Sequence, residues 1–280
     1  MARIGECCHV GDLTVESGSA VTKACRMIHT PTYLLRLARD ERDVLAAQRL
    51  RYRVFVQELG ADGPMVDHHH GLERDQFDAV ADHLLLIDPT GPAGERVVGV
   101  YRLLGADQSE RFYCEEEFDL TPLRRSGRKL LELGRSCVDP AHRGGTAMYQ
   151  LWHGLAAYIA AHKVEILFGP ASFHGQDCVA LCQPLTYLHQ QHLAPTELRV
   201  RARAPAVFPV LTPDQIDRRT AMLATPALIK AYLRLGGTIG DGAHIDKAFN
   251  TVDVCLVLDT ARIPEAQKQL YSTPGRRGWV

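Results

Sequence analysis

The stretch ELGRSCVDPAHRGG, Glu132 to Gly145, decides the fold, because a strand ends in it, a glycine-rich turn follows and a helix begins. That helix is legible in TAMYQLWHGLAAYIAAH, residues 146–162, where Met148, Leu151, Leu155 and Ile159 recur at helical spacing. Glycines at 144 and 145 let the backbone approach a ligand. The free amides and positive dipole end of the new helix, with Arg143 beside them, suit a phosphate. A plain strand-to-helix connection is the competing reading of the turn alone. On the strand, Glu132 and Arg135 lie among Leu130, Leu131, Leu133 and Val138. A central strand keeps such charges only if each finds a partner, so the two are expected to form a site, with a structural ion pair as the alternative.

Composition bounds the function. The chain has 280 residues, is 46% hydrophobic and carries a formal net charge of −1. It has material for a real core and no global charge that asks for nucleic acid or an anionic membrane. The eight cysteines, at 7, 8, 25, 114, 137, 178, 182 and 255, include no paired CxxC arrangement. Reduced thiols in the cytoplasm are expected and no metal site is assigned, either to Cys178 and Cys182 or to His68, His69 and His70. Cys137 reads as a small packed hydrophobe rather than a nucleophile. No segment approaches the roughly 20 apolar residues of a membrane helix, so lipid contact is expected to be peripheral, with Arg276, Arg277 and Trp279 as one candidate contact.

Periodicity alternates between strand and helix. Strands are expected at 32–38, 83–88, 96–104, 130–138, 164–168, 238–245 and 252–258, and helices at 43–59, 146–162 and 226–235. The result is one mixed α/β domain over 31–260, a flexible extension over 1–30 and a tail over 261–280.

The string Val138-x-Pro140-x-x-Arg143-Gly144 resembles the acyl-donor turn of the GNAT acyltransferase superfamily. LRYRVFVQELG at 50–60, Asp75-Gln-Phe-Asp78 and Tyr101-Arg102-Leu-Leu104, ahead of Glu132-Leu-Gly-Arg135, resemble the N-acyl-homoserine lactone synthases of that superfamily over about residues 45–140. ADHLLLID at 81–88, LFGPASFHG at 167–175, YLHQQH at 187–192 and LIKAYLRLGGTIGDGAHIDKAFNTVDVCLVL at 228–258 are similar to the L-ornithine N-alpha-acyltransferases. This second resemblance spans about residues 32–260.

The resemblance implies a GNAT fold, a mixed central sheet flanked by helices. It implies transfer of a (3-hydroxy)fatty acyl group from acyl carrier protein to the α-amine of L-ornithine, forming lyso-ornithine lipid. No bound cofactor is implied; the acyl-phosphopantetheine thioester is a co-substrate. It points to Arg51, Phe55, Asp75, Asp78 and Arg102 around the acceptor. Ser136, Cys137, Val138, Arg143, Gly144, Gly145 and Thr146 would hold the thioester and its arm. An α-amine with an ordinary value near 8 must lose a proton before it attacks. Glu132 is the expected base, raised by burial and opposed by Arg135, and Tyr187 the expected acid. Arg102 is expected to grip the α-carboxylate, and Asp75 or Asp78 the side-chain ammonium. Two basic clusters, Arg199/Arg201/Arg203 and Arg124/Arg125/Arg128/Lys129, are candidate docking sites for an acidic carrier protein. Rival readings are a synthase of N-acyl amino acids or acyl-homoserine lactones using another amine or acyl-CoA, and a non-catalytic module that binds lipid or carrier protein.

Overall fold

Near-continuous burial along the central strands, covered on both faces, builds a sheet around the decisive strand. The computed structural model describes residues 33–91 and 94–265; the extension expected over 1–30 and the chain beyond 265, with Arg276, Arg277 and Trp279, lie outside them. The strands are β1 Leu34–Leu37, β2 Val66–Asp67, β3 Leu72–Glu73, β4 Asp82–Gly91, β5 Gly94–Gly105, β6 Phe118–Asp119, β7 Leu130–Val138, β8 Ile166–His174, β9 Arg201–Ala202, β10 Thr238–Ile239, β11 His244–Asp246 and β12 Thr251–Asp259. The helices are α1 Glu41–Arg51, α2 Thr121–Arg125, α3 Ala147–His162, α4 Cys182–His192, α5 Arg218–Ala224 and α6 Ala227–Arg234.

Eight strands form one sheet in the order β1-β4-β5-β7-β8-β12-β10, with β11 added beside β12. Every pairing is antiparallel except β7 with β8. This is the mixed central sheet that the resemblance implied. On one face α3 buries Leu151, Trp152, Leu155 and Tyr158 against Leu84, Val98 and Leu133. On the other, Ala47, Leu50 and Val54 pack on Leu85, Ile87, Val100 and Cys137. Cys137 is thus the packed hydrophobe its neighbours suggested. Each fully buried Leu contributes about 2 kcal/mol by leaving water.

The expected helix over 43–59 starts under the Asp40 cap, whose side chain accepts from the Asp43 amide. It is α-helical only to Arg51 and continues as a π-helical turn, Tyr52–Glu58. The expected strand over 238–245 divides into β10 and β11, which meet β12 at different places.

Two irregularities position everything that follows. β7 and β8 pair only from Leu130↔Ile166 to Glu132↔Phe168. Beyond that β7 stays on β5 and β8 stays on β12, so the two central strands splay apart. Gly169 marks the apex: its φ is +156° and a Cβ there would overlap the Leu133 carbonyl. The second irregularity is a β-bulge. Gly134 faces Arg102 and Cys137 faces Val100, so Arg135 and Ser136 together oppose Tyr101 alone. Arg135 has a φ of +52°, unusual for a residue with a side chain.

Gly169→Ala should fail to fold or melt well below wild type, because backbone sits where the new methyl would go. Gly145→Ala, with open space around it, should melt as wild type. Thermal unfolding of both proteins checks this, and equal melting would mean the strands do not touch at Gly169.

Candidate active site

The bulge turns Arg135 to the side of the sheet that Glu132 faces, yet the two do not pair. Arg135 enters a closed ring of buried charge. Arg51 bonds Glu73 through Nε and Asp78 through Nη1 at 2.8 Å. Glu73 Oε1 accepts from Arg135 Nε at 3.0 Å, and Arg135 Nη2 donates to Asp75 Oδ2 at 2.9 Å. Arg102 Nη1 donates to Asp75 Oδ1 at 2.6 Å and to Asp78 Oδ1 at 3.0 Å, which closes the circuit. Gln48 and the backbone carbonyl of Glu73 complete it, bonding Asp78 and Arg51 respectively. Three guanidiniums face three carboxylates, so the ring is neutral, and Arg51 and Glu73 are both 0% exposed. Burial pushes the Asp75 and Asp78 carboxyls up, but the guanidiniums around them win and hold both below the usual carboxylate range.

Tyr113 lies between two members of the ring. The Arg135 guanidinium stands 4.2 Å from its ring centre and 4.5 Å from that of Phe249, and Arg102 is 5.5 Å from Tyr113. Glu132 holds this tyrosine in place, because its two oxygens accept from the Tyr113 and Cys114 amides at 2.8 and 2.7 Å. Burial raises the Glu132 carboxyl, and these backbone bonds oppose the rise.

Where β7 and β8 diverge, a cleft of about 480 Å³ opens. β7 lines it from Leu133 to Val138, including Arg135, Ser136 and Cys137, and β8 from Phe168 to Ser172. Val54, Phe55 and Leu59, brought in by the π-helical turn, form an apolar wall with Met148, Leu228 and Leu256. Phe55 meets Phe249 edge-on at 5.8 Å. Tyr101 and Tyr232 line the cleft and share a hydroxyl–hydroxyl bond of 3.1 Å. Burial pushes both phenols up, so they stay protonated. It also pushes the Cys137 thiol up to about 12, which leaves no thiolate. At one end Arg143 lines the cleft, bonded to the Val138 carbonyl and to both oxygens of Glu58. Gly144, Gly145 and Thr146 then lead into α3, which starts without a side-chain cap. Gly144 needs its glycine for a φ of +77°.

At the other end stand acids. Asp246 and Asp253 line the cleft, and Asp246, Glu117, Asp75, Arg135 and Tyr113 line a second cavity of about 480 Å³. Carboxylate oxygens of Glu117, Asp246 and Asp253 lie within 4.8 Å of one another, a set that could hold a cation. Burial pushes Asp253 up to about 6 and raises Glu117 well above its ordinary value.

Three residues expected at the site are absent from the cleft lining. Glu132 does not line the cleft, because the amides of the 113–114 turn occupy its carboxylate. Arg102, 2% exposed, bonds Asp75 and Asp78 and does not line the cleft. Tyr187 lies buried on α4 with its ring edge toward His192, away from the residues lining the cleft. Arg51 and Asp78 are closed inside the ring. Of the acceptor and catalytic residues expected, Phe55 and Arg135 reach the cleft and Asp75 the second cavity. The two basic clusters do meet: Arg125, Arg128, Arg199 and Arg201 line one groove. That groove lies at the start of β7, however, a nine-residue strand and so about 30 Å from the turn that follows its end. Glu73, Tyr101, Tyr113, Glu117, Tyr232, Asp246 and Asp253 were not picked out from sequence. The readable signal was Asp253, a lone carboxylate in the apolar run Thr251-Val-Asp-Val-Cys-Leu-Val-Leu258.

Comparison with known proteins bears on this arrangement. The family described as acetyltransferase (GNAT) domain matches residues 50–153. An L-ornithine N(alpha)-acyltransferase from Rhodobacter capsulatus is 56% identical over 246 residues, covering 86% of this chain and 95% of that protein. One from Brucella abortus is 38% identical over 252 residues, covering 87% and 90%. Among solved structures, the CoA-dependent acyl-homoserine lactone synthase BjaI, with SAM and isopentyl-CoA, superposes with a TM-score of 0.50 at 14% identity, covering 86% of this chain and 88% of that one. This last likeness is one of fold.

The ring makes a stability prediction. Arg102→Ala leaves Asp75 and Asp78 with one guanidinium each and the buried ring with an excess negative charge, and should cost about 3–5 kcal/mol in chemical denaturation. Arg102→Lys, without the planar fork, should recover little of it. A second prediction follows from Asp253. Its folded value, about 6, is above the unfolded one, so its contribution to stability is full in acid and is lost as pH rises through about 6. Asp253→Asn removes that loss. Between about pH 4 and 6.5 the variant's unfolding free energy should fall less than wild type's, and parallel curves would contradict the assignment.

Proposed function

Because the chain belongs to the L-ornithine N(alpha)-acyltransferase family, we propose that it draws its acyl group from acyl carrier protein and performs the transfer inside the β7–β8 cleft. One observation carries this reading: the central strands part just after Glu132 and Phe168, leaving β7 backbone groups unpaired beside an apolar wall. A thioester threaded into the gap lays its acyl chain against Val54, Phe55, Leu59 and Met148. Its carbonyl oxygen meets backbone amides of the Ser136–Val138 segment. Such preorganised donors stabilise the oxyanion as the tetrahedral intermediate forms.

Arg143 and the amides of Gly144, Gly145 and Thr146 hold the single phosphate of the phosphopantetheine arm, with Glu58 released from Arg143. Arg135 is the ring cation that lines the cleft, and it receives the acceptor's α-carboxylate. The α-amine, with an ordinary value near 8, enters in equilibrium with its neutral form. Its nitrogen attacks the thioester carbon, the C–S bond breaks, the Tyr101–Tyr232 pair passes a proton to the departing thiolate, and the proton that the acylated nitrogen sheds returns to the pair, so the amine's proton ends on the thiol. Glu132 acts at one remove, by fixing Tyr113 against Arg135.

The carrier protein docks on the cradle side rather than at the distant basic groove. Arg53, Arg96 and Arg143 stand there with side chains 38%, 48% and 42% exposed, a surface that suits an acidic helix. No described helix is long and apolar enough to cross a membrane. The proposed reaction has the enzyme act in the cytoplasm, with at most peripheral contact as its single-chain product passes to the inner membrane.

The test is mass spectrometry of the full chain with 3-hydroxyacyl carrier protein or the matching acyl-CoA and a mixture of amino acids. N-acylornithine formed from the carrier protein is expected. Arg143→Glu should lower kcat/KM for the carrier roughly tenfold or more, more steeply at low salt. Turnover with acyl-CoA alone would contradict the donor. No product with either donor would contradict the reading as a whole.

A further inference from the structure

The acceptor reading leaves one charge unassigned. Ornithine brings a carboxylate and two ammonium groups, and after the α-amine has reacted and Arg135 has met the carboxylate, the side-chain ammonium still needs a partner. The aspartates expected to provide it, Asp75 and Asp78, are consumed by the ring.

We propose that Glu117, Asp246 and Asp253 form the subsite for the acceptor's side-chain ammonium and thereby select a diamino acid over a neutral one. The proposal rests on the acceptor reading above. The three residues come from separate parts of the chain, the end of the turn after Tyr113, β11 and β12, and converge where the cleft meets the second cavity. Among the described ion pairs none includes any of them, in contrast to the ring next door, where every carboxylate has an arginine. Buried charge of one sign without a partner is costly, and a ligand cation removes the cost.

The hydrogen bonding also points to a ligand. Asp246 Oδ1 accepts from the Ala248 and Phe249 amides, which fixes its orientation. Glu117 Oε2 and Asp253 Oδ1 are buried with no hydrogen-bond partner. The hydroxyl of Thr251, a residue 4% exposed that lines the cleft beside them, faces the Asp253 carboxylate. An ammonium has three donors and no acceptor. Carboxylate oxygens left open in one small space match that inventory, and the neighbouring Arg135 sets the distance between the carboxylate and ammonium ends of the acceptor.

The experiment measures kcat/KM for ornithine and for 2-aminopentanoate, the same carbon skeleton without the terminal amine, with one acyl donor. Wild type should prefer ornithine by about 100-fold or more, as a site built around a polar group does when that group is missing. In Asp253→Asn and in Glu117→Gln the preference should fall to about tenfold or less, chiefly through the KM for ornithine. Asp253 sits on a central strand; should its variant fail to fold, Glu117→Gln, outside the large sheet, decides alone. A preference kept at wild-type level in the folded variants overturns the subsite while leaving the acceptor reading intact. Failure of wild type to acylate ornithine overturns both. Wild type stripped with EDTA should keep its preference; a preference that vanishes and returns with magnesium or manganese would make the three acids a metal site and overturn the proposal.

Discussion

Six charged side chains that neutralise one another hold this molecule's working end together. The ring takes Arg51 from α1, Glu73 from β3, Asp75 and Asp78 from the segment before β4, Arg102 from β5 and Arg135 from β7. Desolvating six charges is expensive, and isolated buried pairs often fail to recover the cost. Here each carboxylate meets two guanidiniums and each guanidinium two carboxylates, so no member is left alone. The segment over residues 66–80 has little regular structure, and it is these bonds that seat it on the sheet. Arg135, the member that also faces the cleft, is held in a backbone conformation that costs on the order of 1–2 kcal/mol by itself. The ring meets that cost and presents a rigid cation to the cleft.

The donor end depends on a different constraint. A parallel pair joined for three residues and then separated gives a gap whose walls are backbone on one side and apolar side chains on the other. Gly169 permits the close contact at the apex, and the bulge opposite Tyr101 shapes the β7 wall. Catalysis by such a site is mainly positioning and oxyanion stabilisation. Glu132 stands outside the gap and fixes the turn that carries Tyr113.

The fold was legible in the sequence because its signals are local. Leu130 to Val138 reads as a strand, the glycine turn follows, and the apolar stripe of α3 comes next, as observed. The chemistry was less legible, because partnership is a property of space rather than of order. Glu132 and Arg135 look like a pair three positions apart, yet backbone amides claim one and distant acids the other. Arg102 looked like a ligand clamp because its partners, Asp75 and Asp78, were themselves being read as ligands. The register shift at the bulge has no local signature strong enough to place Arg135 on its face. Glu117 ends a short turn and Asp246 a three-residue strand, each beside another charged residue, and neither gives a signal alone. Asp253, isolated among valines, did give one.

A double-mutant cycle between Arg51 and Asp75 tests the closed ring most directly. These are opposite members, joined through Glu73 and Arg135 on one side and through Asp78 and Arg102 on the other. Unfolding free energies of Arg51→Met, Asp75→Asn and the double variant give their coupling. A closed ring predicts a coupling of about 1 kcal/mol or more, since opening it at one place weakens every remaining bond. Additive effects, within about 0.3–0.5 kcal/mol, would mean independent ion pairs and would contradict the account.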